Sequence, residues 1–86
     1  MSETLARVYV TLKRGVLDPQ GQAIEAALAG LGHDGVAGVR QGKLFEVKLT
    51  DGTNAETRLR AMCEDLLANT VIESYEIELP GEVDGR

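Results

Sequence analysis

Gly15-Val16-Leu17-Asp18-Pro19-Gln20-Gly21 is the stretch on which the fold turns. Asp18 stands where a side-chain oxygen can accept from the free N–H groups of a helix start, and Pro19 takes the first helical position, where its missing N–H costs nothing. Beyond it Ala23, Ile24, Ala27, Leu28 and Leu31 recur at helical spacing, and Gly32 is placed to stop the helix. Gly21 is a poor helix former inside the first turn, so it marks a close backbone approach. Ahead of the stretch, residues 5–13 alternate. Ala6, Val8, Val10 and Leu12 face one way, and Arg7, Tyr9, Thr11 and Lys13 the other, as in a half-buried strand.

The pattern then repeats with variations. Gly35 to Arg40 reads as a short, weak strand, and Gln41-Gly42 as a two-residue hairpin turn. Residues 43–49 alternate again, with Phe45, Val47 and Leu49 inward and Glu46 and Lys48 outward, until Asp51-Gly52 breaks the run. Thr53 and Glu56 have capping-box spacing, with Asn54 as a rival N-cap. Leu59, Met62, Cys63, Leu66 and Leu67 form one helical stripe. A last strand sets Val71, Tyr75, Ile77 and Leu79 against Ser74, Glu76 and Glu78. Pro80-Gly81 ends it, and residues 82–86 read as a frayed tail. The expected fold class is α+β, two-layer β-α-β-β-α-β of ferredoxin-like type, an antiparallel sheet with both helices on one face. One domain spans residues 1–86, with an ordered core over about 5–80.

Eighty-six residues bury only about 60–65% of the surface that the unfolded chain exposes. Association with other chains is the expected source of further stability, and outward Leu5, Tyr9, Leu44 and Ile72 leave the sheet's second face partly apolar. The net charge of −5, from 14 acidic and 9 basic residues, disfavours nucleic acid. Three aromatics, Tyr9, Phe45 and Tyr75, make no stacking platform. No apolar run approaches the ~20 residues of a membrane span, and Met1-Ser2-Glu3-Thr4 lacks a signal-peptide layout. The single cysteine fits a reducing compartment, so a cytoplasmic location is expected.

Candidate chemistry is sparse. The glycine-flanked loop could cradle a phosphate, but it lacks the Gly-Lys-Ser/Thr ending of a P-loop and Asp18 would repel an anion; a shaped turn with a capped helix is the stronger reading. Arg40 and Lys43 flank the expected hairpin turn, as a solvated tip or as a contact for an acidic partner. His33 has only its sequence neighbour Asp34 as a carboxylate, and charge compensation at a helix end or plain exposure accounts for it better than catalysis. Cys63, on the apolar stripe, reads as a small core residue. Glu76 and Glu78 share a face but read as solvated charges that discourage strand pairing. No nucleophile triad, metal spacing or redox pair is available in the sequence, and no catalytic, cofactor-binding or metal-ligating residue is expected.

The Gly-Val-Leu-Asp-Pro-Gln-Gly run resembles PurS, the small subunit of the three-component formylglycinamidine ribonucleotide synthase. Val39-Arg40-x-Gly42-Lys43 and Leu66-Leu67-Ala68-Asn69 follow in family order, so the resemblance runs from about Val8 to Leu79. Thr70 stands where the family usually has proline. The resemblance implies a non-catalytic subunit of phosphoribosylformylglycinamidine synthase, a ligase of purine biosynthesis, that forms a homodimer or dimer of dimers. It would bridge the PurQ glutaminase, which releases ammonia, and the PurL synthase, which uses ATP and Mg to convert FGAR to FGAM. Cofactors would then belong to the synthase and none to this chain. The residues it marks for subunit interaction are Lys13, Gly15, Asp18, Gln20, Gly21, Arg40, Lys43 and Asn69. Two other readings share the element order. An ACT-type module would bind a small molecule near the glycine-rich turn, although such modules usually come attached to an enzyme. An acylphosphatase-like enzyme would place Arg14 in the right loop, but the motif around it is absent.

Overall fold

A computed structural model describes residues 3–80. The expected tail at 82–86, like Gly81, lies outside the described residues. Three strands form one antiparallel sheet in the order β2-β1-β3: β1, Thr4–Leu12; β2, Gly42–Leu49; β3, Glu73–Glu78. Helix α1 spans Pro19–Gly30 and α2 spans Ala55–Met62, continued by a π-helical turn at Cys63–Leu67. The α+β class, the antiparallel sheet and its two helices are as the alternation predicts.

Alternation along β1 becomes burial because β1 is the central strand. Ala6, Val8 and Val10 face the helix layer and are fully covered. Val8 lies between Phe45 and Ile77, and Ala6 opposite Val47, so the neighbouring strands extend the same apolar face. From α2 and its continuation, Ala55, Leu59, Cys63 and Ala68 close the core, with Met62 and Leu67 packed at its edge. The other face of the sheet carries a cross-strand ion pair, Arg7 to Glu46 at 3.2 Å, and a hydrogen bond from Tyr9 Oη to Glu78 Oε1 at 2.5 Å. Leu5, Leu44 and Ile72 are exposed as expected.

Five local expectations are corrected. Residues 36–41 join no ladder, so the weak strand at 35–40 and its Gln41-Gly42 hairpin do not form within this chain. The outer edge of β2 is open, but Asp18 holds the Gln41 N–H and Arg40 is fastened to the carbonyls of Leu12 and Lys13, so the chain enters β2 from the junction instead of doubling back along it. The apolar stripe of α1 was expected to cover the sheet, yet Ala23, Ile24, Ala27 and Leu31 are exposed and only Gly21 is buried. The capping box is absent. Asn54 occupies the N-cap position at φ 49° with no side-chain cap, the Thr53 N–H donates to Asp51 Oδ1, and Glu56 pairs with Arg60. Leu66 leaves the stripe at 83% exposure, because the Ala68 N–H reaches back five residues to Cys63 O and the wider π turn shifts the phase. Val71 lies in a turn at 82% exposure, so the last strand begins only at Glu73.

Gly32, at φ +93°, ends α1 as expected. The His33 N–H donates to Leu28 O and the Gly32 N–H to Ala29 O, the double bond of a Schellman motif. The chain is extended: its radius of gyration is 16.3 Å, against about 12 Å for a compact domain of this length.

Candidate functional site

Because β1 is antiparallel to both neighbours, its C-terminal end and the starts of β2 and β3 share one end of the sheet. The loop of residues 13–18 leaves from that end, and Gly42 and Glu73 arrive at it. Motifs twenty and more residues apart therefore meet there. The Lys13 N–H donates to Ile72 O at 2.8 Å, and Lys13 O accepts from the Val16 N–H at 3.1 Å, a turn that passes through Gly15 at φ +86°. That conformation suits a residue without Cβ.

Asp18 is the centre of the junction. Its Oδ1 accepts from the Gly21 N–H and its Oδ2 from the Gln41 N–H, each at 2.9 Å. It therefore caps α1 as expected and also binds the chain twenty-three residues further on. These two N–H groups, Gln41 foremost, hold its carboxyl below the ordinary carboxylate range, with Arg40 adding a smaller attraction. Gln20 Oε1 accepts from Gln41 Nε2 at 2.5 Å. Gly21 is the close approach that its sequence position predicts: a Cβ there would stand 2.3 Å from Val39 O. Arg40 is not a projecting hairpin tip, since its guanidinium donates to Leu12 O and, at 3.4 Å, to Lys13 O. Lys43, exposed on β2, lies opposite Val10.

Asn69 joins this end through β3. Its Oδ1 accepts from the Val71 N–H at 3.2 Å, while its own N–H donates to Glu73 Oε1 at 2.6 Å. The backbone O of Asn69 takes the N–H groups of Ile72 and Glu73. These bonds organise the turn that carries Thr70. Glu73 in turn lines an open cleft of about 330 Å³ together with Leu12, Asp18, Gln20, Gln41 and Lys43. Arg14 and Arg40 edge a second hollow beside it. All eight residues marked from the sequence thus reach one end of the sheet. Sequence reasoning missed Gln41, the second partner of Asp18, and Glu73. A contact across twenty residues leaves no periodic trace in a chain.

The chemistry available here is that of holding. Both oxygens of Asp18 are occupied by backbone donors. Cys63 is fully buried, and burial, with Glu64 adding to it, pushes its thiol above the ordinary range. His33 is exposed beyond the end of α1. Among the described residues no group of three or more His, Cys, Asp and Glu side chains is arranged to hold a metal ion.

The fold and site define a small α+β domain whose distant motifs are tied into one junction at the end of the sheet, beside two open clefts. The family model for PurS, phosphoribosylformylglycinamidine (FGAM) synthase, matches residues 5–81. Phosphoribosylformylglycinamidine synthase subunit PurS of Mycobacterium leprae is 53% identical over 72 residues, covering 84% of this chain and 90% of the relative. The PurS subunit of Synechocystis sp. is 51% identical over 75 residues, covering 85% and 75%. Among solved structures, Bacillus subtilis PurS superposes with a TM-score of 0.82 at 43% identity, covering 88% of this chain and 96% of that one. A chain of PurLQS from Thermotoga maritima does so with 0.81 at 28% identity, covering 92% and 99%. The chain belongs to the PurS family.

Proposed function

We propose that this chain is the non-catalytic component of a three-part FGAM synthase in purine biosynthesis, docking to a PurQ glutaminase and a PurL synthase. The observation that carries the reading is the likeness, over nearly its whole length, to a chain of the Thermotoga maritima PurLQS structure. In this assembly the glutaminase frees ammonia from glutamine. The synthase spends ATP, with Mg, to place that nitrogen on FGAR and give FGAM. The chain itself contributes surface: the junction end of the sheet, with Lys13, Gly15, Asp18, Gln20, Gly21, Arg40, Lys43 and Asn69, is where partner subunits dock. It also associates with itself, as its small core and the exposed Leu5, Leu44 and Ile72 favour. A cytoplasmic place follows from the pathway; among the described residues no helix is long and apolar enough to cross a membrane.

Reconstitution tests this. Purified glutaminase and synthase subunits are assayed for FGAM with glutamine or with free ammonia, with and without this chain. The expected result is that glutamine-dependent synthesis requires the chain, while ammonia bypasses much of the need for it. An equal glutamine-dependent rate without it would overturn the proposal. The ACT-type alternative makes the opposite forecast in calorimetry, heat of binding from a free amino acid added to the chain alone.

A further inference from the structure

The cations of this chain divide sharply by place. Arg7, Lys48, Arg58 and Arg60 are ion-paired, with Glu46, Glu3, Asp51 and Glu56. Lys13, Arg14, Arg40 and Lys43 have no carboxylate partner among the described residues, and all of them stand exposed at the junction end of the sheet. A chain with 14 acidic residues and a net charge of −5 is thus locally cationic at one end.

Arg14 and Arg40 share a hollow of about 430 Å³ with Thr11, Leu12 and Ser74. The backbone brings the two guanidinium groups together. Arg14 is the second residue of the turn closed from the Val16 N–H to Lys13 O, and Gly15, at φ +86°, is the third. Arg40 donates through Nη2 to Leu12 O and Lys13 O, the carbonyls just ahead of Arg14. Its Nε and Nη1 donors, and the whole Arg14 guanidinium, have no partner among the described residues. Thr11 and Ser74 are paired across β1 and β3 on the sheet face away from the helix layer. Neither hydroxyl is hydrogen-bonded among the described residues. No carboxylate lines the hollow. Asp18 and Glu73 line the other cleft, and Glu76, next along that face of β3, is paired with Tyr9 outside the lining.

We propose that this hollow binds the phosphate monoester group of a small molecule, with Arg14 and Arg40 as its cations and the Thr11 and Ser74 hydroxyls as further donors. The site goes beyond the docking role and does not rest on it. Two guanidinium groups match a dianion, and a phosphate monoester carries close to two negative charges on three acceptor oxygens. A carboxylate, with two oxygens, is satisfied by one guanidinium fork and would leave the second arginine and both hydroxyls unused. The volume is that of a small-ligand site. A single phosphate suits it and a polyanion does not, because the chain around the hollow is acidic. Arg40, already held by two carbonyls, needs little further ordering to receive the ligand.

Titration of the full chain at fixed ionic strength, followed through its amide resonances, tests this with inorganic phosphate, ribose 5-phosphate, acetate and a tetraglutamate peptide. Both phosphates should give saturable shifts centred on Thr11, Arg14, Arg40 and Ser74, and acetate should not. Tighter binding of ribose 5-phosphate supports the site with a sugar phosphate as its ligand, and equal binding supports it with the phosphate group alone recognised. Arg14→Gln should weaken binding at least about tenfold, since charge-assisted hydrogen bonds are lost. Lys48→Gln, which removes a paired cation elsewhere, should leave the affinity unchanged. Shifts that never saturate, shifts that acetate reproduces, or an Arg14→Gln chain that binds like the parent would overturn the site. Tetraglutamate bound more tightly than either phosphate would overturn it in favour of contact with an acidic partner surface. If Arg14→Gln fails to fold, a smaller loss in Ser74→Ala and the position of the shifts in the unaltered chain decide. Binding is read on the chain alone, so its failure is distinct from a failure of the reconstituted assembly.

Discussion

Replacing Gly21 by alanine should destabilise the chain, although it exchanges a poor helix former for the best one. Alanine is favoured over glycine by up to about 1 kcal/mol in a helix interior, and by less in a first turn. Against this, the new Cβ would stand 2.3 Å from Val39 O and 2.8 Å from Asp18 Oδ2. The first neighbour is backbone and the second is fixed by two hydrogen bonds, so neither yields like the free end of a long side chain. Forcing an extra carbon into a packed site costs about 1–3 kcal/mol, which leaves a net loss of roughly 1–2 kcal/mol. For a domain of this length that is a fall in Tm of roughly 5–15 °C. Gly30→Ala is the internal control, because its Cβ would meet nothing within 4 Å and should be neutral or slightly stabilising. Thermal and urea unfolding of the three proteins at one fixed concentration gives the comparison, since association would otherwise shift the midpoint. A Gly21→Ala protein as stable as its parent would falsify the claim that glycine is present for the crossing of Val39.

Leu59→Ala should cost about 2–4 kcal/mol as a fully buried truncation, whereas Leu66→Ser should stay within about 0.5 kcal/mol in the dissociated chain; equal effects in urea unfolding would contradict the phase shift at the π turn. Cys63→Ala should lower stability by about 1–2 kcal/mol and leave FGAM synthesis by the assembly intact. The native thiol should react slowly with a maleimide at neutral pH, because burial first and Glu64 second keep it protonated; rapid labelling of the folded chain would refute this. Asp18 gives a pH prediction of definite sign. Its folded pKa lies below the unfolded value of about 3.9, so its stabilisation is complete above that value and is lost as pH falls through the depressed one. The Gln41 amide resonance should titrate with a midpoint below about 3.9, and a midpoint above it would show that the carboxylate is not held as described.

Elements with strong local signals were legible in the chain. Alternation over residues 5–13 pointed to β1, Asp18-Pro19 and Gly32 bounded α1, and alternation over 43–49 pointed to β2, because capping and side-chain period are properties of adjacent residues. Family membership was legible too, through motifs whose order survives without knowledge of their contacts. Folding alone revealed that Asp18 binds both its own helix and Gln41, and that Arg40 folds back onto β1 instead of projecting. Such bonds join residues distant in the chain, and nothing in the local pattern records them. The π turn likewise escaped the stripe of Leu59, Met62, Cys63, Leu66 and Leu67, since one wider turn rotates Leu66 outward without altering the residues that suggested the stripe. Residues 36–41 mark the clearest division. Their composition favours a strand, but a strand exists only against a partner, and the bonds from Asp18 to Gln41 and from Arg40 to the end of β1 keep the segment from turning back along the open edge of β2.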